Sequence, residues 1–178
     1  MVFCLIVTIG FIWIWYHHIQ FNDHSRQALF HLRRGELDQA IKDYTTAIKH
    51  KPKEPSAYNN LGQAYLGKAE YDKAITAFKK ALEIKPDAVE AYVNLATAYL
   101  KQNLLIQAIE ACQGAIQIAP NLALAHYNLA CAYALTGENQ KAIDSLKKAI
   151  ALDKQLKAFA TEERAFDGLR SHPAFPSE

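Results

Sequence analysis

Three side-chain amides, Asn60, Asn94 and Asn128, stand 34 residues apart. An amide both donates and accepts hydrogen bonds, so a row of them can satisfy the backbone of an extended peptide whatever its sequence. The same amides can equally bond within their own array, and the residues alone leave both readings open. Other chemistry is scarce. The seven glycines form no phosphate-cradling loop. No Ser/His/Asp or Cys/His set shares a pocket, and Glu162 and Glu163 are neighbours on a helix and diverge, which disfavours paired acid–base work. His24 and His31 lie on one helical face, the spacing of a metal-ligand pair, but two rings filling aromatic-sized packing slots explain them more simply, and His126 likewise. The expectation is therefore a protein with no catalytic residues, no metal, no cofactor and no small-molecule substrate.

What would position the amides is legible in Pro55–Asp87. Tyr58, Leu61, Gly62 and Tyr65 fall on one helical face, Gly67-Lys68-Ala69-Glu70 breaks it, Ala74, Phe78 and Ala81 mark a second helix, and Pro86 ends that helix. A lone hairpin of this kind cannot bury its apolar face, so a neighbour of the same shape must cover it. The neighbours are present. Ala40, Ala74, Ala108 and Ala142 keep a 34-residue step, as do Ala47, Ala81, Ala115 and Ala149, and Ile41, Ile75, Ile109 and Ile143. Gly62 reads as a packing glycine at a close helix crossing. These series define four repeats, 21–54, 55–88, 89–122 and 123–156.

The pattern resembles the tetratricopeptide repeat family, whose unit is a 34-residue helix–turn–helix with small residues where helices touch. The resemblance implies an all-α superhelical solenoid, a right-handed stack of helix pairs whose first helices line a concave groove. It implies that the fifth, sixth and ninth residues of each repeat point into that groove. These are Asn59, Asn60 and Gln63; Val93, Asn94 and Thr97; and Tyr127, Asn128 and Cys131. Members that hold chaperone C-termini use basic residues there, whereas here the matching places carry Asn59, Asn60, Gln63, Glu90 and Asn94. With Leu66, Leu100 and Leu135 alongside, the groove is expected to suit an extended or helical protein segment of modest hydrophobicity rather than a carboxylate tail.

Residues 1–20 contain no Asp, Glu, Lys or Arg. Val2–Ile19 as a helix would reach ~27 Å at the usual rise, close to the ~30 Å hydrocarbon core of a bilayer. Trp13, Trp15 and Tyr16 cluster at one end, as interfacial aromatics do, and His17 and His18 follow. A membrane anchor over residues 1–19 is expected. Arg26, Arg33 and Arg34 follow the stretch, which places the repeats on the cytoplasmic or stromal side. A cleaved secretory signal ahead of a soluble or secreted repeat module is the alternative, although the stretch lacks a basic start. A short anchor and a few repeats are also similar in architecture to assembly factors for membrane complexes, photosystem I among them.

The net charge of +2 is dispersed, so no nucleic-acid partner is expected. Cys4, Cys112 and Cys131 have no metal spacing and read as free thiols. The third repeat is poor in charge, and its inter-helix turn carries Leu104 and Ile106 where other turns carry polar residues. These two are expected to be exposed as a second contact surface, with the middle residue of each turn (Leu37, Tyr71, Leu105, Asn139) packing inward. After the fourth repeat, Phe159, Phe166 and Leu169 have the spacing of an amphipathic capping helix over 157–178. Lys154 replaces the stop proline, so the preceding helix is expected to run on into this cap.

Overall fold

A computed structural model describes the backbone of residues 2–176 and the side chains of residues 13–176. The described residues are all-α, without a strand. Two compact units, Met1–Pro86 and Asp87–Glu178, divide the chain. The first holds α1 (Val2–Arg33), α2 (Leu37–His50), α3 (Pro55–Gly67) and α4 (Tyr71–Ile84). The second holds α5 (Val89–Lys101), α6 (Leu105–Ile118), α7 (Ala123–Leu135), α8 (Asn139–Leu152), the short α9 (Leu156–Glu162) and a 3-10 helix over Arg164–Leu169. Each repeat is thus a helix pair, and the alanines of the 34-residue series are its seam: Ala40, Ala74, Ala108 and Ala142 are fully buried, as are Ala47, Ala81, Ala115 and Ala149.

The turn between the two helices of a repeat is the same four times. Gly35, Ala69, Asn103 and Gly137 all have positive φ, at 74°, 58°, 58° and 80°. The next N–H, of Glu36, Glu70, Leu104 and Glu138, donates to the carbonyl of His31, Tyr65, Tyr99 and Tyr133, each at 2.9 Å. The left-handed residue closes the first helix by satisfying one of its orphan carbonyls. Glycine adopts this conformation without strain, whereas a Cβ costs about 1–2 kcal/mol. Ala69→Gly is therefore expected to stabilise the chain by about 0.5–1 kcal/mol, since glycine's looser unfolded state offsets part of the relief. Gly137→Ala should destabilise it. Urea midpoints at constant slope check both signs.

Two further positions set the distance between helices within a repeat. They hold Ala28 and Tyr44, Gly62 and Phe78, Ala96 and Cys112, and Ala130 and Leu146, every one of them buried. Only the second pair needs glycine. A Cβ on Gly62 would lie 2.5 Å from Phe78 Cε1, and the Phe78 ring is fully buried.

Three expectations require correction. The helix of the fourth repeat does not run on into the cap: α8 stops at Leu152, and the Asp153 carboxylate accepts the Gln155 N–H at 2.9 Å, turning the chain. The cap is not one amphipathic helix. It breaks at Glu163, with φ −72° and ψ 121°, into α9 and the 3-10 helix. The break separates the three residues, leaving Phe159 60% exposed while Phe166 and Leu169 are buried. Among the middle residues of the turns, Leu37, Tyr71 and Leu105 are partly buried, but Asn139 is exposed.

At the other end, α1 continues unbroken from Val2 through Arg33. Among its described side chains, His17 Nδ1 lies 2.9 Å from His50 Nδ1 on α2, and Phe21 is buried against Ala47 and Ala57. Among the described residues no helix is long and apolar enough to cross a membrane. Most of the expected anchor, residues 1–12, has side chains outside the described residues.

Candidate partner-binding site

In the first unit, α3 carries Asn59, Asn60 and Gln63. Asn59 is buried, and the other two are half-buried. Asn60 stands beside the buried Tyr44 hydroxyl, which has no well-aligned hydrogen bond. Burial raises the phenol's pKa and the Asn60 side chain pulls it back.

In the second unit, Val93 is buried while Asn94 and Thr97 are half-buried. The Thr97 hydroxyl donates to the Val93 carbonyl at 3.0 Å and accepts from Asn128 Nδ2, also at 3.0 Å. Asn128 is buried and ties α7 to α5. The third amide of the row is thus engaged within the array. Tyr127 and Cys131 are 8% and 5% exposed, in one core with Phe166, Leu169 and Phe175. The Tyr127 and Phe166 rings meet edge-on at 5.8 Å. The closing segment packs there and covers Cys131, leaving Tyr127 only an edge in a hollow beside Leu124, Leu156, Phe159 and Glu163. Of the nine groove residues, Asn60, Gln63, Asn94 and Thr97 keep accessible surface.

Leu104 is 37% exposed and Ile106 70%. The equivalent turns are acidic and ion-paired. Glu36 meets Arg34 at 2.6 Å, Glu70 meets Lys73 at 2.7 Å, and Glu138 meets Lys141 at 2.5 Å. His31 and then Arg34 hold the Glu36 carboxyl below its usual pKa, Lys73 and then Lys68 do so for Glu70, and Lys141 for Glu138. The third turn has Leu104 in place of the glutamate, with Gln102 and Gln107 in the partner positions, and cannot form the pair.

The histidines separate. His31 pairs with Glu36 at 2.5 Å, and His24 lies parallel to the His50 ring at 5.8 Å. Among the described residues no group of three His, Cys, Asp or Glu is placed to hold a metal. His126 does what a tyrosine does in its slot: its Nε2 bonds the Pro120 carbonyl at 2.8 Å, as the Tyr58 hydroxyl bonds the Pro52 carbonyl at 3.1 Å. Cys112 and Cys131 are free and buried, and burial pushes the Cys112 thiol up to about 12 and the Cys131 thiol higher still.

Sequence reasoning missed a pair of surface hollows. One lies among Tyr58, Leu61, Tyr65, Lys73, Thr76 and Lys80. The other lies among His126, Leu129, Tyr133, Lys141, Asp144 and Lys148, the same positions two repeats on. In each a lysine ammonium sits over the tyrosine ring, Lys73 at 5.5 Å from Tyr65 and Lys141 at 5.3 Å from Tyr133. The signal was the shared Tyr and Lys spacing, which the third repeat lacks because Gln107 replaces the lysine.

Family models described as tetratricopeptide repeat match residues 26–89, 63–123 and 123–156. Among solved structures, the chain is similar to MamA from Desulfovibrio magneticus RS-1, with 24% identity, 80% of this chain and 81% of that one covered, and a TM-score of 0.74. It is also similar to TTC0263, a thermophilic protein of Thermus thermophilus that carries the same repeat, at 25% identity, 82% and 81% coverage and a TM-score of 0.70. The repeat domain of Arabidopsis OM64 matches at 20% identity, 63% and 93% coverage and a TM-score of 0.62. At 24% and 20% identity the first and third show the fold alone. Curated protein sequences yield no match.

Proposed function

The chain belongs to the tetratricopeptide repeat family, and we propose that it holds a protein segment against the first helices of its repeats, near a bilayer and without chemistry of its own. The fold is that of a protein–protein interaction scaffold. The observation that carries the finer reading is the character of the residues left accessible there. Asn60 and Gln63 in the first unit, and Asn94 in the second, are neutral amides, partly exposed, with no lysine or arginine among them, while the Thr97 hydroxyl already donates to the Val93 carbonyl. Such a set suits the backbone of a neutral or weakly apolar segment and offers no cation to a carboxylate.

Residues 1–19 form the tether in this reading, with the repeats on the cytoplasmic or stromal side, and the work is that of an assembly or chaperone-like adaptor for a membrane complex. Leu104 and Ile106 supply a second contact. Carbonate washing tests the tether: the full chain stays with membranes until detergent is added.

A photoreactive residue placed at Asn94 in the full chain, in native membranes, is expected to give one discrete protein adduct. The same probe at Lys148, on a second helix, should not. Leu104→Glu with Ile106→Asp should reduce capture without lowering the melting temperature. Adducts from Lys148 and none from Asn94 would overturn the assignment of the site. Capture unchanged in the double variant would remove the second contact.

A further inference from the structure

Residues 13–21 of α1 and the end of α2 meet at one corner of the first unit. Trp13, Ile14, Trp15 and Tyr16 are 63%, 60%, 67% and 52% exposed, a run of large apolar side chains left in the open. Beside them a hollow is lined by Trp13, His50, Lys51, Pro52, Lys53 and Glu54. The corner is fastened, not incidental. His17 and His50 meet at 2.9 Å, and the Lys51 ammonium bonds His18 Nδ1 at 2.7 Å and lies 4.7 Å from the centre of the Phe21 ring. An ammonium has three donors. His18 takes one and the face of Phe21 supports the charge, so Lys51 is held in place with donors remaining.

We infer that this corner is a binding surface for the headgroups of anionic phospholipid, with Lys51 and Lys53 meeting phosphate and Trp13, Trp15 and Tyr16 entering the interface beside it. The inference rests on the tether proposed above and names the lipid that the tether selects. Charge and shape agree on the occupant. Indole and phenol rings prefer the boundary between headgroup and hydrocarbon. Each lysine near an anionic leaflet favours it by about fivefold. Lys51 and Lys53 both line the hollow, whereas Glu54 is the single acid among its lining residues. A free peptide would satisfy the lysines but has no reason to sit beside four exposed apolar side chains in a row.

Trp13 and Trp15 are the chain's two tryptophans, so tryptophan fluorescence, excited where its nine tyrosines do not absorb, reports on this corner alone. The full chain is reconstituted into phosphatidylcholine vesicles carrying the same minor fraction of either brominated phosphatidylglycerol or brominated phosphatidylcholine. Bromine quenches the tryptophans it touches. The expected result is stronger quenching by the anionic lipid, corresponding to an enrichment of roughly fivefold or more. High salt should shrink the difference. Lys51→Gln with Lys53→Gln should abolish it, and Glu54→Gln should widen it. Equal quenching by the two lipids would overturn the headgroup inference and leave the tether standing. A preference that survives the double lysine change would also overturn it. No quenching by either lipid would overturn both the tether and the inference.

Discussion

Phe166→Ala is expected to cost about 3–5 kcal/mol and to make Cys131 react with a thiol reagent that leaves it untouched when the closing segment is unmutated. Phe166 is the more deeply buried of the two phenylalanines that the closing segment contributes to the core of the last repeat, at 0% against 5% exposed for Phe175. It meets Tyr127 edge-on at 5.8 Å and Phe175 at 6.1 Å. The segment around it is short, with seven residues in α9 and six in the 3-10 helix, so it has little helical stability of its own. Its attachment therefore depends on the side chains it inserts. Once Phe166 is truncated, Leu169 and Phe175 are the main large side chains left, with Leu156 and Ala160, to hold the cover over Tyr127 and Cys131. Cys112, in α6 and fully buried, should stay protected and serves as the internal control in a Cys4→Ser background. Labelling followed by mass spectrometry gives the answer. An unchanged melting temperature with Cys131 still silent would show that the closing segment is held by something else.

The second large effect concerns the Gly62–Phe78 pair. Phe78→Ala should cost about 3–5 kcal/mol, the usual penalty for emptying a buried aromatic site. Gly62→Ala is more informative because two effects oppose each other. Alanine improves helix propensity by about 1 kcal/mol, but its Cβ would lie 2.5 Å and 2.7 Å from Phe78 Cε1 and Cδ1. A buried ring cannot swing away, and overpacking costs about 1–3 kcal/mol, so the net change should be destabilising. Gly62→Ala combined with Phe78→Leu recreates the Ala130–Leu146 pair of the fourth repeat. The double variant should be more stable than the sum of the single changes predicts, with a coupling of about 0.5–3 kcal/mol. Strict additivity in urea titrations would mean that the two positions do not share one packing site.

The helix pairs were legible because alanine at fixed steps has one efficient use, the seam between helices, and the structure buries those alanines completely. Tyr58, Leu61 and Gly62 likewise announced a packed first helix. The closing segment was harder. A spacing of seven and three between Phe159, Phe166 and Leu169 fits a single helix, and nothing in the side chains reveals that the backbone at Glu163 leaves the helical region. The burial of Tyr127 and Cys131 was illegible for a related reason. Their positions mark a concave face only where another repeat comes next, and the cover over the fourth repeat is set by tertiary packing. The amide row was half legible: the 34-residue spacing revealed it, but not that Asn128 would donate to Thr97 Oγ1, an acceptor one repeat away. The αL turn was hidden at Ala69, a residue type that rarely adopts positive φ, whereas glycine at Gly35 and Gly137, and asparagine at Asn103, mark it.

The way Phe166, Leu169 and Phe175 fill the surface beside α7 has a consequence for how such a chain can change its length. A duplicated hairpin appended after Leu152 would compete with these three side chains for the same seat, and the loser would be left as an exposed apolar flap. Growth by duplication is therefore tolerated upstream of α7 and penalised downstream of α8. The stopper travels with the fourth repeat, as a terminal cassette rather than a detachable lid.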